Sequence, residues 1–125
     1  MVLLDTNILL EILLKQEKSS VCKKFVEKNL KNIHLSDFSL HSIGVILLRH
    51  KKIDLYQTFL ASFINKIQIV SLSLEDYATL LANIKTYALG FDDVYQLTVA
   101  QNLDLELITL DTNFKKVQGA KIGFL

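Results

Sequence analysis

Residues 1–11 read Met-Val-Leu-Leu-Asp-Thr-Asn-Ile-Leu-Leu-Glu, and the fold follows from how this stretch divides. Val2, Leu3 and Leu4 form a short apolar run of the kind that makes a strand buried on both faces. The run stops at Asp5. Asp5-Thr6-Asn7 then offers three residue types favoured where a helix begins, because their side-chain oxygens accept from the free amides of a first turn. Ile8, Leu9, Ile12 and Leu13 follow at helical spacing. An acid at the carboxyl end of a buried strand, facing a helix N-terminus, stands where open α/β sheets bind ligands. Taken alone, Asp5 is equally well read as a helix cap; a functional reading needs other acids at the same sheet edge.

Moving outward, the first helix covers about 6–15, and Lys18-Ser19-Ser20 breaks it before a second helix through Val21, Phe25, Val26 and Leu30. Ile33–Ser36 reads as a strand, and 37–51 as a long helix ending in Arg49-His50-Lys51-Lys52. Asp54 is placed to cap a helix carrying Leu55, Phe59, Leu60 and Phe63, and 66–72 contains a further strand. Ser73-Leu74-Glu75-Asp76 has capping-box spacing and opens a helix to about Leu89, with Gly90 as the residue favoured just past its end. Phe91-Asp92-Asp93 starts another helix with Val94, Leu97 and Ala100 inward. Leu105–Leu110 is a strand that, like the first, runs into an acid, Asp111; a turn of helix at 113–117 and a last strand near 120–124 complete the chain. The order is βααβααβααβαβ. Strands separated by helices imply right-handed crossovers and a parallel sheet covered on both faces, the α/β class.

Composition is consistent with one domain over 1–125. The chain is 50% hydrophobic and 22% charged, which excludes a disordered segment. No apolar run reaches the roughly 18 residues of a membrane helix, and no basic leader precedes the first apolar stretch, so neither a membrane span nor a signal peptide is expected. The single cysteine, Cys22, lies in a helical pattern beside Val21 and Phe25; it reads as a packed thiol in a reducing, cytoplasmic setting. Net charge is +1 but unevenly spread: residues 12–52 hold nine Lys/Arg against three acids, and the rest five against ten. Most of these lysines read as solvated helix faces. The denser 49–52 cluster is a candidate contact for phosphates.

Three acidic stations therefore fall at comparable places: Asp5 after the first strand, Asp93 at a helix start, and Asp111 after a later strand. In a parallel sheet the strand carboxyl ends share one edge, so Asp5 and Asp111 meet if their strands are neighbours, and Asp93 can face the same cleft. Carboxylates gathered in this way raise one another's pKa unless a cation neutralises them. An all-oxygen donor set without Cys or His points to Mg²⁺ or Mn²⁺. Such ions lower the pKa of bound water and stabilise in-line attack on phosphate, so the chemistry indicated is metal-dependent phosphodiester hydrolysis.

The stretches Leu3-Leu-Asp-Thr-Asn7, Phe91-Asp-Asp-Val94 with Ala100 seven residues after Asp93, and Ile108-Thr-Leu-Asp-Thr-Asn-Phe114 resemble the PIN domain, most of all the small single-domain ribonucleases that are toxins of VapBC type. The resemblance spans the chain. It implies an α/β/α sandwich around a five-stranded, mainly parallel sheet, and Mg²⁺- or Mn²⁺-dependent endoribonuclease activity on RNA. It assigns Asp5, Asp93 and Asp111 as catalytic and metal-site acids, with Asn7 and Thr109 as polar supports. It also implies an antitoxin partner, held through an apolar groove, and a homodimer. One position departs from the family pattern: Ser42, in Ser39-Leu40-His41-Ser42, stands where PIN nucleases usually carry a glutamate. Asp37 lies five residues earlier on another helix face. Asp92 is a candidate to replace the missing charge and equally a candidate cap for its helix.

The alternatives are specific. A PIN-like module that binds RNA or protein without cutting is motivated by Ser42. A phosphatase of haloacid dehalogenase type needs a second Asp where this chain has Asn7, and leaves Asp111 without a role. A receiver domain conflicts with acids split between the chain's two ends. His34, His41 and His50 have no ligand spacing with one another.

Overall fold

Each apolar run forms a strand, and all five join one sheet. β1 (Val2–Leu4), β2 (Ile33–Ser36), β3 (Gln68–Val70), β4 (Glu106–Thr109) and β5 (Ile122–Phe124) stand in the order β3-β2-β1-β4-β5 in the computed structural model, which describes residues 1–125. Every pairing is parallel, so the sheet is wholly rather than mainly parallel. Six helices connect the strands: α1 (Thr6–Leu13), α2 (Ser19–Asn29), α3 (Asp37–Arg49), α4 (Ile53–Ser62), α5 (Tyr77–Thr86) and α6 (Phe91–Asn102). This is the expected order of elements and the α/β class.

β1 lies at the centre of the sheet because it is the strand that can be buried on both faces. Leu3 and Leu4 are fully buried and point to opposite sides. Val2 and Leu4, with Ile33, Leu35 and Ile108, pack beneath α1 to α4. Leu3 and Leu107 pack beneath α5 and α6 with Leu80, Val94, Leu97 and Phe114. The sheet thus separates two apolar layers, one on each face. Gly44 of α3 supports the first: the Tyr56 ring of α4 sits where a Cβ would be, 2.9 Å from it, and the Tyr56 hydroxyl donates to the Leu40 carbonyl at 2.6 Å.

The strand order has a functional consequence. The chain steps outward from β1 through β2 to β3, then returns across the sheet to β4 and β5. β1 and β4 are therefore adjacent strands whose connections leave in opposite directions, which opens a crevice at their carboxyl ends. Leu4 pairs with Ile108, and the Asp5 amide donates to the Ile108 carbonyl at 2.9 Å, carrying the ladder up to the first acid.

Helix ends differ from expectation in several places. α1 stops at Leu13 rather than 15, since Lys15 takes a left-handed φ of 53°. α5 opens through a 3₁₀ turn, Leu74–Asp76, held by the Ser73/Asp76 capping box, and ends at Thr86 rather than Leu89. Gly90 consequently lies beyond an extended segment; at φ −65° and ψ 161° it is the N-cap of α6 rather than a helix terminator.

The basic cluster at 49–52 closes α3 as expected, and the direction of that helix decides which edge of the sheet it reaches. α3 is capped by Ser36, the last residue of β2, and runs back along the sheet for thirteen residues, about 20 Å. Arg49 to Lys52 emerge at the opposite edge of the sheet, where Lys52 shares a depression with Leu13, Leu14 and Lys15 at the far end of α1. No helix is long and apolar enough to cross a membrane.

Candidate active site

The crevice at the carboxyl ends of β1 and β4 forms a cleft of about 190 Å³ whose lining includes Asp5, Asn7, Ser42, Asp92, Asp93 and Gln96. Asp111 borders an adjoining depression, and Asn7 lines both. Chain direction explains the gathering. β1 delivers Asp5, β4 delivers Asp111 two residues beyond its end, and α6 presents Asp93 from its first turn.

Asp5 is 6% exposed and held on both oxygens. Its Oδ1 accepts from the Thr6 amide at 2.8 Å and its Oδ2 from the Thr109 hydroxyl at 2.8 Å. Thr109, at the end of β4, in turn accepts from the Asp111 amide at 2.9 Å. One buried hydroxyl thereby ties the two strand ends and fixes the spacing of two acids. Asp111 is oriented by the Asn113 amide, which donates to its Oδ1 at 2.9 Å. Asn7, the other expected polar support, is exposed on the cleft wall.

The carboxylates act on one another. Burial pushes Asp5 above the ordinary carboxylate range and Asp111 adds to this, against the hydrogen bonds from Thr109 and Thr6 and the polarity of the nearby Gln96 amide. Asp93 is pushed up to about 6 by burial first, then by the charges of Asp5, Asp111 and Asp92, with Lys116 opposing. Asp92 is exposed, contributes charge to the cleft and makes no capping bond; Gly90 has the cap position.

Sequence reasoning missed a polar floor under these acids. Gln96 is 1% exposed, and its Nε2 donates to the Ser39 hydroxyl at 2.5 Å. The Ser39 and Thr6 hydroxyls are hydrogen-bonded to each other at 2.8 Å, and Ser39 accepts from the Ser36 hydroxyl at 3.3 Å. Gln96 lies three residues after Asp93, hence on the same helix face. That spacing is the signal from which it could have been found. Ser42 lines the cleft, so no carboxylate enters from α3 here; Asp37 instead accepts from the Tyr95 hydroxyl at 2.8 Å. His41 is exposed, and His34 lies within β2.

The donor set fits a hard divalent cation in its chemistry: oxygens only, from carboxylates whose charges push Asp5 and Asp93 upward. The acids do not by themselves close a ready-made cage of three such groups. A cation here would need water and neutral oxygens to complete its shell, which is how Mg²⁺ is ordinarily held.

A family model for the PIN domain matches residues 2–120. No curated protein sequence matches the chain. Among solved structures, the chain is similar to VapBC2 from Rickettsia felis bound to a DNA fragment from its promoter, with 21% identity, a TM-score of 0.81, and coverage of 99% of this chain and 98% of that one. It is similar to a toxin–antitoxin complex from Klebsiella pneumoniae at 23% identity and a TM-score of 0.78, covering 98% and 96%. It is also similar to VapC20 of Mycobacterium tuberculosis, a sarcin-ricin loop cleaving toxin, at 12% identity and a TM-score of 0.77, covering 92% and 93%. With its strand order, its switch-point cleft and this match along nearly its whole length, the chain belongs to the PIN domain family.

Proposed function

We propose that this protein is a divalent-metal-dependent endoribonuclease that hydrolyses RNA phosphodiester bonds, and that it is the toxin of a toxin–antitoxin pair. The observation that supports the reading is that Asp5 and Asp93 line one cleft and Asp111 borders the depression beside it, with the charge of Asp111 raising Asp5 and the charges of both raising Asp93. Asp5, Asp93 and Asp111 would hold Mg²⁺ or Mn²⁺, which when bound supplies a water of lowered pKa and offsets charge on the scissile phosphate. The chain's own contribution is placement. Thr109 and the Thr6 amide leave Asp5 one orientation, and Asn113 does the same for Asp111. Asp93, the least tethered of the three, takes a proton as pH falls towards 6 and then no longer attracts a cation.

An antitoxin is the proposed protein partner. An apolar groove of about 440 Å³, lined by Leu9, Ile12, Leu13, Val26, Leu55 and Phe59 among others, lies between α1, α2 and α4. It has the dimensions and chemistry for the apolar face of an amphipathic helix. The solved structures similar to this chain include toxin–antitoxin complexes.

The test is cleavage of structured RNA with Mg²⁺ or Mn²⁺. Asp5→Asn and Asp93→Asn are each expected to lower the rate at least about 100-fold while leaving the circular dichroism spectrum unchanged. Parent-like cleavage by either variant would remove that residue from the mechanism. The second reading, a binding module that does not cut, is favoured by Ser42 in the place of an acid. It would be supported by RNA binding with neither metal uptake nor cleavage in the parent.

A further inference from the structure

The basic cluster that closes α3 takes no part in the acidic cleft. α1 and α3 both close on a left-handed lysine, Lys15 at φ 53° and Lys51 at φ 57°. Glycine is the residue ordinarily found there, since it has no Cβ to resist that conformation. A cation suits the negative end of a helix dipole, which accounts for one charge at each terminus. It does not account for four: Lys15, Arg49, Lys51 and Lys52 are all exposed. The one ion pair of the molecule joins Lys121 to Asp104, so these four have no carboxylate at pairing distance. Asp54 is the one acid in the depression of about 400 Å³ that Lys15 and Lys52 share. That depression is continuous with the apolar groove between α1, α2 and α4, because Leu13 and Leu55 line both. The groove itself is nearly neutral, with Lys23 and Glu27 the only charges on its walls. Positive charge begins where the groove opens onto the amino edge of the sheet.

We infer that the helix seated in this groove carries an acidic end, whose Asp or Glu residues meet Lys15, Arg49, Lys51 and Lys52. Its apolar stripe lies against Leu9, Val26 and Phe59, and its chain continues past Leu13 and Leu55 onto the cations. The apolar part accepts any amphipathic helix of fitting side chains. The basic end sets the direction in which the helix lies and excludes a partner with cations there. Nucleic acid is the other polyanion that four cations attract, but its backbone has no use for the apolar walls that adjoin them. This rests on the antitoxin reading above and specifies the chemistry that such a partner brings.

The probes are synthetic helices of about 20 residues with one leucine stripe, followed by a run of Glu, Gln or Lys. Each is made with that run at its first or its last turn, and binding to the intact protein is read by fluorescence anisotropy across a salt series. The Glu helix is expected to bind at least about tenfold tighter than the Gln helix at low salt, and the Lys helix more weakly than both. Lys15→Gly, Lys51→Gly and Lys52→Gln, combined, remove charge without disturbing the left-handed turns. In that variant the Glu helix should fall to the level of the Gln helix, whose own affinity stays unchanged. Leu55→Ala should weaken all three. Equal affinity of the Glu and Gln helices for the parent, or a Glu advantage that survives the combined variant, would overturn the acidic end and leave the groove standing. So would a uridine oligonucleotide that binds the parent more tightly than the Glu helix and is lost with the same cations, which assigns the cluster to phosphate. Should the combined variant not fold, the Glu and Gln helices on the parent decide alone. Failure of all three helices to bind would overturn the groove as a helix seat and the acidic end together.

Discussion

Asp93 concentrates the electrostatics of the cleft. Its pKa near 6 means that, between the ordinary carboxylate value and 6, the folded chain holds a proton that the unfolded chain has released. The metal-free protein should therefore be most stable below about pH 4 with respect to this group, and lose that contribution as pH rises through 6. Asp5, also raised, acts in the same direction. Two results follow for thermal melts. Asp93→Asn should raise the melting temperature of the metal-free protein at pH 7.5 by about 4 °C, corresponding to about 1 kcal/mol in a domain of this size. Mg²⁺ should stabilise the parent more at pH 7.5 than at pH 5, because below 6 the proton competes for the same carboxylate. A melting temperature that falls in Asp93→Asn, or a Mg²⁺ effect that grows towards pH 5, would contradict this account. At this scale the acids were legible, because Asp5 and Asp111 each end an apolar run and Asp93 opens a helical one. Gln96 and Ser39 were not. A single glutamine within an amphipathic helix reads as a solvated residue until the facing strand and helix are known.

The elements explain why three acids so far apart in the chain meet. Parallel pairing puts the ends of β1 and β4 side by side, and the reversal of direction between them leaves the gap that α6 enters. The alternation of strands and helices was readable from periodicity alone, down to the double helices between β1, β2, β3 and β4. Helix direction was the information not used. A helix that leaves the carboxyl edge must end near the amino edge, so the basic cluster closing α3 faces away from the acids. The cation closer to the site is Lys116, which opposes the rise in the Asp93 pKa and whose Nζ donates to the Ala88 carbonyl, at the approach to α6. Lys116→Ala is accordingly expected to weaken RNA binding about three- to tenfold and to reduce the salt slope by about one, the signature of one lost phosphate contact. Combined Arg49→Ala, Lys51→Ala and Lys52→Ala should leave both nearly unchanged. The reverse outcome in filter binding across a salt series would return the RNA path to the α3 terminus.

The whole molecule is a sheet with two unlike faces. One carries the apolar groove between α1, α2 and α4, and the other carries exposed Leu74, Tyr77 and Leu81 at helical spacing along α5 and its leading turn. The first is the proposed antitoxin seat, and neither apolar surface has a partner within the chain. Light scattering should give a larger mass when the antitoxin is added than for the protein alone. An antitoxin that leaves the mass unchanged would remove the partner. Composition alone pointed to one domain with a divided charge, but which faces stay open depends on packing that only the assembled sheet reveals. The central claim is that Asp5, Asp93 and Asp111 gather around one divalent cation. Anomalous diffraction from a crystal grown with Mn²⁺ tests it most directly. The expected result is an anomalous peak in the cleft between these three carboxylates; an ordered cleft with no peak, or Mn²⁺ bound only elsewhere on the molecule, would contradict it.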